Sequence, residues 1–302
     1  MRVFVTGGTG AIGVHTVPAL VRAGHTVSAL ARNEAKAQSL RNQGATPVLA
    51  SLFDRAELAA AFSGHDVVIN LASALPSTAA FMLRSAWKEC ERVRTEGSAA
   101  VVAAARDAMI SKVIQESVAM IYADGGAEWI DESHPVDHYP ISSGNHAAEA
   151  SARRFAETGG DATILRFGVF YGPHAAHSEQ ILDLARSHIG FVPGRADTYL
   201  SSIHVADAAD AVVAALAAPG GTYNIVDDEP VTKHAYAAAC ADALGVKTWI
   251  GVPGRLGLVL GDRMTSLTRS LRVSNKRFRD AADWRPRYPS VRKGYRAMVL
   301  GD

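Results

Sequence analysis

The 302-residue chain has only two cysteines and no excess of charge of either sign. Cys90 and Cys240 lie far apart, and neither has a cysteine or histidine neighbour at the spacing of a zinc site, so we expect no disulfide framework and no structural metal. Lys and Arg total 31 against 30 Asp and Glu, a formal charge of +1 that provides no field to hold a polyanion. We therefore expect no nucleic-acid partner, and a reducing compartment, the cytoplasm.

Long hydrophobic runs are also absent. The most apolar late segment, Leu256–Leu260, is bounded by the charged residues Arg255 and Asp262 and is far shorter than the roughly 20 residues of a membrane span. The amino terminus passes directly into a glycine loop, without the apolar stretch of a signal peptide. With 48% hydrophobic and 20% charged residues, the composition predicts a globular protein that has no membrane partner.

What the sequence does have is an alternation of apolar β-prone runs with alanine-rich helical patterns. We predict strands near 2–6, 26–31, 46–50, 66–72, 112–117 and 162–167, and helices near 11–23, 34–43, 55–63, 86–107 and 144–157. This order predicts an α/β fold, a doubly wound parallel (Rossmann) sheet with a smaller C-terminal substrate lobe.

The lobes are predicted from where this alternation weakens. Residues 1–173 form the predicted dinucleotide-binding domain, and a helix near 205–217 with a strand at Thr222–Val226 brings residues 200–227 back to the same sheet. Residues 174–199 and 228–302, with their scattered prolines, form the predicted small substrate-binding lobe.

Three glycines at a spacing of three lie between the first strand and the first helix. Gly7 permits a tight turn, Gly10 lets the backbone approach a pyrophosphate, and Gly13 allows close packing of the helix on the strand. Backbone amides at the start of the helix would face the phosphates. The loop predicts a dinucleotide site, to which its other members also contribute: Thr9, Ala11 and Ile12.

The second predicted strand ends at Arg32, 19 positions after Gly13, where dinucleotide folds that prefer NAD carry an acidic residue. A guanidinium there suits a 2′-phosphate, which favours NADP(H) and leaves NAD(H) open. The alternative is an arginine that only forms a surface ion pair with Glu34 or Asp54.

Further motifs identify a family. They are Asn70-Leu71-Ala72, the run from Leu165 to Pro173, Ile203-His204-Val205-Ala206-Asp207, Tyr223-Asn224-Ile225-Val226 and Asp283-Trp284-Arg285-Pro286. With the glycine loop, they make the chain resemble the extended short-chain dehydrogenase/reductases, the NAD-dependent epimerase/dehydratase group. The resemblance implies a homodimer through the long helices near 86–107 and 144–157. It also implies further cofactor contacts at Ser51, Leu52, Leu71, Ala72, Ser73, Asn145, Phe167 and Val169.

The catalytic residues that the resemblance implies are not where the family has them. The family uses a Ser or Thr after the fifth strand and a Tyr-x-x-x-Lys on the next helix. Here Val118 stands at the hydroxyl position, with Ser117 one position early, and Ile141 and Asn145 stand at the Tyr and Lys positions. Asn145 can donate hydrogen bonds to ribose hydroxyls but carries no charge to lower the pKa of a proton donor.

We predict Ser117, Tyr139 and His146 as substitutes. Tyr139 is two positions from Ile141, about 200° on a helix, so it reaches the site only if the segment before Pro140 is non-helical; otherwise it is a surface-packed tyrosine. Histidine titrates near neutrality, but His146 is about 100° from the direction of the family's lysine, and the alternative is a partly exposed helix residue.

Three functions follow from this pattern. The first is an NADP(H)-dependent oxidoreductase acting on a hydroxyl or carbonyl of a small molecule with a non-standard proton donor. The second is a redox-neutral epimerase, dehydratase or cyclase on the same fold, and the third is a noncatalytic protein that senses NADP(H).

Overall fold

The structure is a computed structural model that describes residues 1–77, 80–81, 83–173, 175–190, 192–248, 250–251 and 265–301. The apolar segment Leu256–Leu260 lies outside the described residues. Among the helices that are described, none is long and apolar enough to cross a membrane.

The helices and strands follow one another along the chain in a regular alternation at first, and then as shorter pieces. In order they are β1 (Arg2–Thr6), α1 (Gly13–Arg22), β2 (Thr26–Ala31), α2 (Glu34–Asn42), β3 (Thr46–Leu49), α3 (Arg55–Phe62), β4 (Val67–Asn70), α4 (Lys88–Arg92), α5 (Ser98–Asp107), β5 (Lys112–Val118), β6 (Trp129–Ile130), α6 (Ser143–Glu157), β7 (Asp161–Phe167), β8 (Val169–Tyr171), α7 (Ala176–Arg186), β9 (Ile189–Gly190), β10 (Tyr199–Leu200), β11 (Ser202–His204), α8 (Val205–Ala214), β12 (Gly221–Ile225), β13 (Val231–Thr232), α9 (Lys233–Leu244), β14 (Ile250–Gly251), α10 (Thr265–Thr268), β15 (Arg272–Val273), α11 (Lys276–Ala281) and α12 (Val291–Leu300).

Seven strands form one parallel sheet in the order β12-β7-β5-β4-β1-β2-β3. Val3 of β1 lies beside Val27 of β2 on one side and beside Val67 of β4 on the other. The chain runs outward from β1 to β3 and then returns to β4, so the winding reverses between β1 and β4. A crevice forms at such a reversal, beyond the carboxyl ends of the strands. The predicted doubly wound parallel sheet is confirmed.

The strands at the centre of the sheet are buried because helices cover them. All four residues of β4 are buried, as expected for a strand covered on both faces. Helix α5 packs between α3 and α6. Phe4 of β1 and Phe62 of α3 meet edge to face with ring centroids 4.8 Å apart, within a core that extends to Val101 and Phe155.

The chain divides into two compact units. The first comprises Met1–Ser117, Ile141–Arg166 and Ala209–Tyr223, and the second comprises Val118–Pro140, Phe167–Ala208 and Asn224–Asp302. In the second unit α9 packs against α7 and α12. Its core is built around the buried aromatic rings of Tyr171, Tyr236 and Tyr295. The boundaries of these two units differ from the boundaries of the predicted lobes. The assignment of a substrate-binding lobe stays a prediction.

The predicted helix near 86–107 is helical along its whole length, but it is not uniformly α-helical. Residues Arg84–Trp87 form a 3₁₀ turn, α4 follows, Val93–Gly97 form a π-helical turn, and only then does α5 begin. A π turn adds a residue to the helix and shifts the side chains that follow it. Gly97 ends this turn against Leu52, whose Cδ2 would lie 2.8 Å from a Cβ at position 97. Apolar periodicity does not reveal such a turn.

Candidate functional site

The glycine loop forms a backbone cradle at the carboxyl end of β1, which we call the glycine cradle (residues 6–13). Gly7 has φ +73°, and Gly10 N donates to Gly7 O over 2.9 Å. A Cβ on Gly13 would overlap the Gly7 carbonyl oxygen. Helix α1 starts at Gly13 and no side chain caps it, so backbone donors at its start remain for a ligand. Gly10 and Ala11 are exposed, whereas Ile12 is buried.

A buried polar network fixes the ends of β1, β4 and β5 relative to one another. Asn70 Oδ1 accepts from Thr6 Oγ1 over 2.5 Å, and Asn70 Nδ2 donates to Gln115 Oε1 over 2.8 Å and to Ser98 Oγ over 3.1 Å. A satisfied network of this kind is rigid. It positions the segment that follows β4, in which Leu71 and Ala72 are buried and Ser73 is exposed.

Arg32 lies at the end of β2 and is exposed. Glu34 accepts from Arg41 over 2.6 Å, and Asp54 caps α3 by accepting from the amides of Ala56 and Glu57. Both carboxylates named as alternative partners for Arg32 are therefore engaged elsewhere. Among the described residues, the Arg32 guanidinium has no hydrogen-bond or ion-pair partner.

Ser51 and Leu52 follow the end of β3. The Ser51 hydroxyl accepts from Phe53 N over 3.2 Å, and Ser51 N donates to Glu57 Oε2 over 2.8 Å. The hydroxyl proton is not used in either bond, so Ser51 can still donate to a ligand. Leu52 is half-buried and rests against Gly97.

Near the carboxyl end of β5, polar and charged side chains rather than backbone groups form the edge of the sheet. We call the following group the buried charge layer: Arg94, Glu116, Ser117, Asn145, Glu149 and Arg166. Each of its members is buried and belongs to the first unit. It contains two carboxylates, each paired with a buried guanidinium.

Glu149 is the better satisfied of the two carboxylates. Arg166 binds it through two parallel hydrogen bonds of 2.8 Å, Ser117 Oγ donates to it over 2.7 Å, and Arg153 donates over 2.5 Å. Burial opposes ionisation, but these donors and charges outweigh it and hold the pKa of Glu149 below its usual value. Glu149 therefore stays ionised inside the protein.

Glu116 has fewer partners. Arg94 Nη2 donates to Glu116 Oε1 over 2.9 Å, while Glu116 Oε2 is buried without a hydrogen-bond partner. Burial raises the pKa of Glu116 above its usual value, and Arg94 offsets only part of that shift. The same guanidinium donates from Nη1 to Asn145 Oδ1 and from Nη2 to Ser73 Oγ over 3.4 Å.

The structure places the three predicted proton donors in different surroundings. Ser117 is fully buried and donates to Glu149. Tyr139 belongs to the second unit and lies outside α6, in the segment before Pro140. Its hydroxyl donates to Met120 O over 2.8 Å, and burial raises its pKa to about 12 although the Arg269 guanidinium lies nearby.

His146 is half-buried on the first turn of α6, directly after Asn145. The predicted cofactor contacts Phe167 and Val169 belong to the second unit, where Phe167 is buried and Val169 half-buried. The remaining predicted cofactor contacts all lie in the first unit, at or after the carboxyl ends of its strands or on the first turn of α6.

Arg94 and Glu116 are the functional candidates that sequence reasoning missed. A signal existed for Arg94, because a charged residue three positions before Gly97 falls on the helix side that packs inward. The sequence does not show that this arginine is buried, because Glu91 lies three positions earlier at the spacing of a surface ion pair on one helix. The partner, Glu116, comes from a strand 22 residues away.

Comparisons with known proteins agree with this geometry. A model of the NAD dependent epimerase/dehydratase family matches residues 3–226. A "3-diazoavenalumate denitrifying reductase" from Streptomyces sp is 33% identical over 97% of this chain and 99% of its own. A "4-hydroxy-2-methyl-3-oxo-4-farnesyl-3,4-dihydroquinoline-1-oxide ketoreductase" from Stigmatella aurantiaca is 33% identical over 90% of this chain and 82% of its own.

Solved structures share the fold. The human epimerase family protein SDR39U1 (isoform 2), solved with NADPH, has a TM-score of 0.82 at 22% identity. The match covers 100% of this chain and 100% of that structure. UDP-glucose 4-epimerase from Thermotoga maritima has a TM-score of 0.80 at 20% identity, over 99% of this chain and 98% of its own. The glycine cradle, the strand order and the family match over residues 3–226 lead to one conclusion: this chain belongs to the NAD-dependent epimerase/dehydratase family.

Proposed function

We propose that this protein is an NADP(H)-dependent reductase that transfers a hydride to the carbonyl group of a small molecule. The observation that carries the proposal is the Arg32 guanidinium directly after β2, which has no hydrogen-bond or ion-pair partner among the described residues. A guanidinium fork is the group that best binds a phosphate dianion, and NADP(H) differs from NAD(H) only by that phosphate. Two relatives of this length are named as reductases, one of them a ketoreductase, which supports a carbonyl as the hydride acceptor.

The residues present fit a dinucleotide. Backbone amides of the glycine cradle bind the pyrophosphate, and a side chain on Gly13 would close the cradle. Arg32 binds the 2′-phosphate, and Asn145 donates to a ribose hydroxyl. The bound nicotinamide supplies the hydride.

The proton that completes the reduction needs a separate donor. We propose His146 for this role, because an imidazole can donate a proton and His146 lies beside Asn145 on the first turn of α6. Ser117 and Tyr139 stay predictions for the same role. The Ser117 hydroxyl donates to Glu149 and the Tyr139 hydroxyl donates to the Met120 carbonyl, so each must leave that partner before it can protonate a substrate.

The first experiment is a parallel titration of nucleotide-stripped protein with NADPH and NADH. We expect NADPH to bind about ten- to a hundredfold more tightly, or ~1.5–3 kcal/mol, from charge-assisted hydrogen bonds to the phosphate. Arg32→Ala should reduce NADPH affinity to that of NADH. Arg22→Ala removes an exposed arginine at the far end of α1 and is the matched control, which should change neither affinity. Equal affinities in the wild type would contradict the choice of NADP(H).

Turnover is then measured with a panel of ketones, including a dihydroquinoline ketone. Loss of NADPH with formation of the alcohol supports the reductase. His146→Gln should lower the turnover rate about a hundredfold, whereas His138→Gln, in an exposed loop, should leave it unchanged. Cofactor that stays bound through purification while substrate isomerises or loses water supports the redox-neutral alternative instead. Binding of NADPH without turnover of any kind supports the sensing protein.

Three broader expectations belong to this proposal. We propose a small-molecule substrate and a cytoplasmic location, to which the two buried free cysteines, Cys90 and Cys240, are suited. The homodimer through the helices near 86–107 and 144–157 stays a prediction. Sedimentation of the purified protein tests it.

A further inference from the structure

Asn145 stands at the position of the family's catalytic lysine, and its side-chain amide is held by a single residue. Arg94 Nη1 donates to Asn145 Oδ1. A guanidinium has only donors, so the atom of the Asn145 amide that faces it must be the oxygen. The two donors on Asn145 Nδ2 therefore point away from Arg94.

Those two donors have no partner in the described part of the chain, and Asn145 Nδ2 is not among the atoms sealed from solvent without one. A buried amide that is fixed at its oxygen and unsatisfied at its nitrogen is prepared to donate to a ligand. The residue is 7% exposed, so this opening is narrow.

Three features of the structure hold the Arg94 side chain in place. It lies on the π-helical turn Val93–Gly97 and is 4% exposed. Glu116 Oε1 balances its charge over 2.9 Å. Gly144 allows α6 to lie against its aliphatic stem, since a Cβ at that position would be 3.0 Å from Arg94 Cβ.

The same guanidinium also reaches Ser73 Oγ at 3.4 Å. Ser73 follows the carboxyl end of β4, and Asn145 begins α6, so one side chain joins two elements that lie at the proposed cofactor edge. A cation is thereby placed beside the position at which this chain lacks the lysine.

We infer that Arg94 is a positioning residue for the dinucleotide: it fixes the Asn145 amide so that Nδ2 donates to the ribose hydroxyls next to the nicotinamide. Arg94 carries the charge that the missing lysine would carry, and Asn145 carries the hydrogen-bond donor. This inference rests on the proposed function, because it takes the dinucleotide to bind at this edge.

The test compares two ligands, NADPH and adenosine 2′,5′-bisphosphate, which has the 2′-phosphate but no nicotinamide ribose. Arg94→Lys keeps the charge beside Glu116 but cannot hold both Glu116 and Asn145 in a fork. We expect it to weaken NADPH binding about tenfold and to change binding of the bisphosphate less than about twofold. Asn145→Ala should do the same.

The double variant Arg94→Lys/Asn145→Ala should bind NADPH no more weakly than Asn145→Ala alone, because both changes remove one interaction. Losses that multiply would overturn the inference. So would equal weakening of the two ligands, which is the result expected if Arg94 only supports the fold.

Asn145→Asp is the second variant, for use if Arg94→Lys does not fold. It keeps a partner for Arg94 but replaces the outward donor by an acceptor. We expect NADPH binding to fall at least about tenfold with bisphosphate binding retained, and unchanged NADPH binding would overturn the inference. A wild-type protein that binds neither ligand would instead overturn the proposed function, so the two failures can be told apart.

Discussion

Two stretches of one sheet edge in the first unit are built in opposite ways. The glycine cradle after β1 is made of backbone, in which tight approach and free amides do the work and no side chain takes part. The buried charge layer after β5 is made of side chains that pair across elements far apart in sequence. The comparison teaches that the motif shared with the family lies in the backbone of the glycine cradle, whereas the groups that distinguish this chain lie in the buried charge layer.

If that comparison is right, breaking the Glu149–Arg166 pair of the charge layer should act on stability, and damage to the cradle should act on binding. The largest effect should come from Arg166→Met, which leaves Glu149 buried without its bidentate partner. We expect a loss of about 3–5 kcal/mol in the free energy of unfolding, measured by urea denaturation. Arg186→Met, at a surface pair with Asp183, is the control and should cost less than about 1 kcal/mol.

The NADPH affinity of the Arg166→Met protein that remains folded should match that of the wild type. An Arg166→Met protein of full stability but poor NADPH binding would reverse the comparison.

Gly13→Ala should have the next largest effect, on the other side of the comparison. Its methyl group would overlap the Gly7 carbonyl oxygen, so the cradle must open. We expect NADPH affinity to fall about a hundredfold or more, equivalent to ~2.7 kcal/mol, in a calorimetric titration. Gly24→Ala is the matched control, because Gly24 has φ +83° but an added Cβ there meets nothing. It should cost about 1 kcal/mol of stability and leave binding unchanged.

Ser117→Ala tests whether Ser117 stabilises the fold or takes part in the reaction. As a member of the charge layer it loses one hydrogen bond to the Glu149 carboxylate, and we expect about 1–2 kcal/mol less stability. The rate of turnover per folded molecule should change little. A loss of turnover of several hundredfold at unchanged stability would instead make Ser117 a catalytic residue, as first predicted from its position.

The pH dependence of stability should separate the two buried carboxylates. The folded-state pKa of Glu149 is depressed, so its contribution is present above the unfolded pKa of about 4.3 and is lost as pH falls through the folded value. Glu149→Gln should flatten that acidic limb. The pKa of Glu116 is raised, so its effect has the opposite sign: stability is lost as pH rises through the folded pKa.

Glu116→Gln should therefore weaken the loss of stability between acidic and neutral pH, measured by urea denaturation at a series of pH values. Glu149→Gln and Glu116→Gln would then change the pH dependence of stability in opposite directions. Identical pH profiles would show that the pairs with Arg94 and Arg166 are electrostatically equivalent.

The sequence by itself determined the sheet, the cradle and the family. Strand and helix periods are local, and Gly7, Gly10 and Gly13 have a meaning fixed by backbone geometry over a few residues, so both can be predicted from the chain alone. It also predicted that Arg32 lies where β2 ends and that Tyr139 lies ahead of α6.

Only the tertiary structure decided which side chains meet. Arg94 and Glu116 are 22 residues apart, Ser117 and Glu149 are 32 apart, and a π turn redirects the first of these residues. A hydroxyl or a guanidinium is available to a ligand only if no buried group of the protein already binds it. The desolvation of a charge depends on all the groups packed around it. Neither quantity is local, which is why the buried charge layer was the part that the sequence could not resolve.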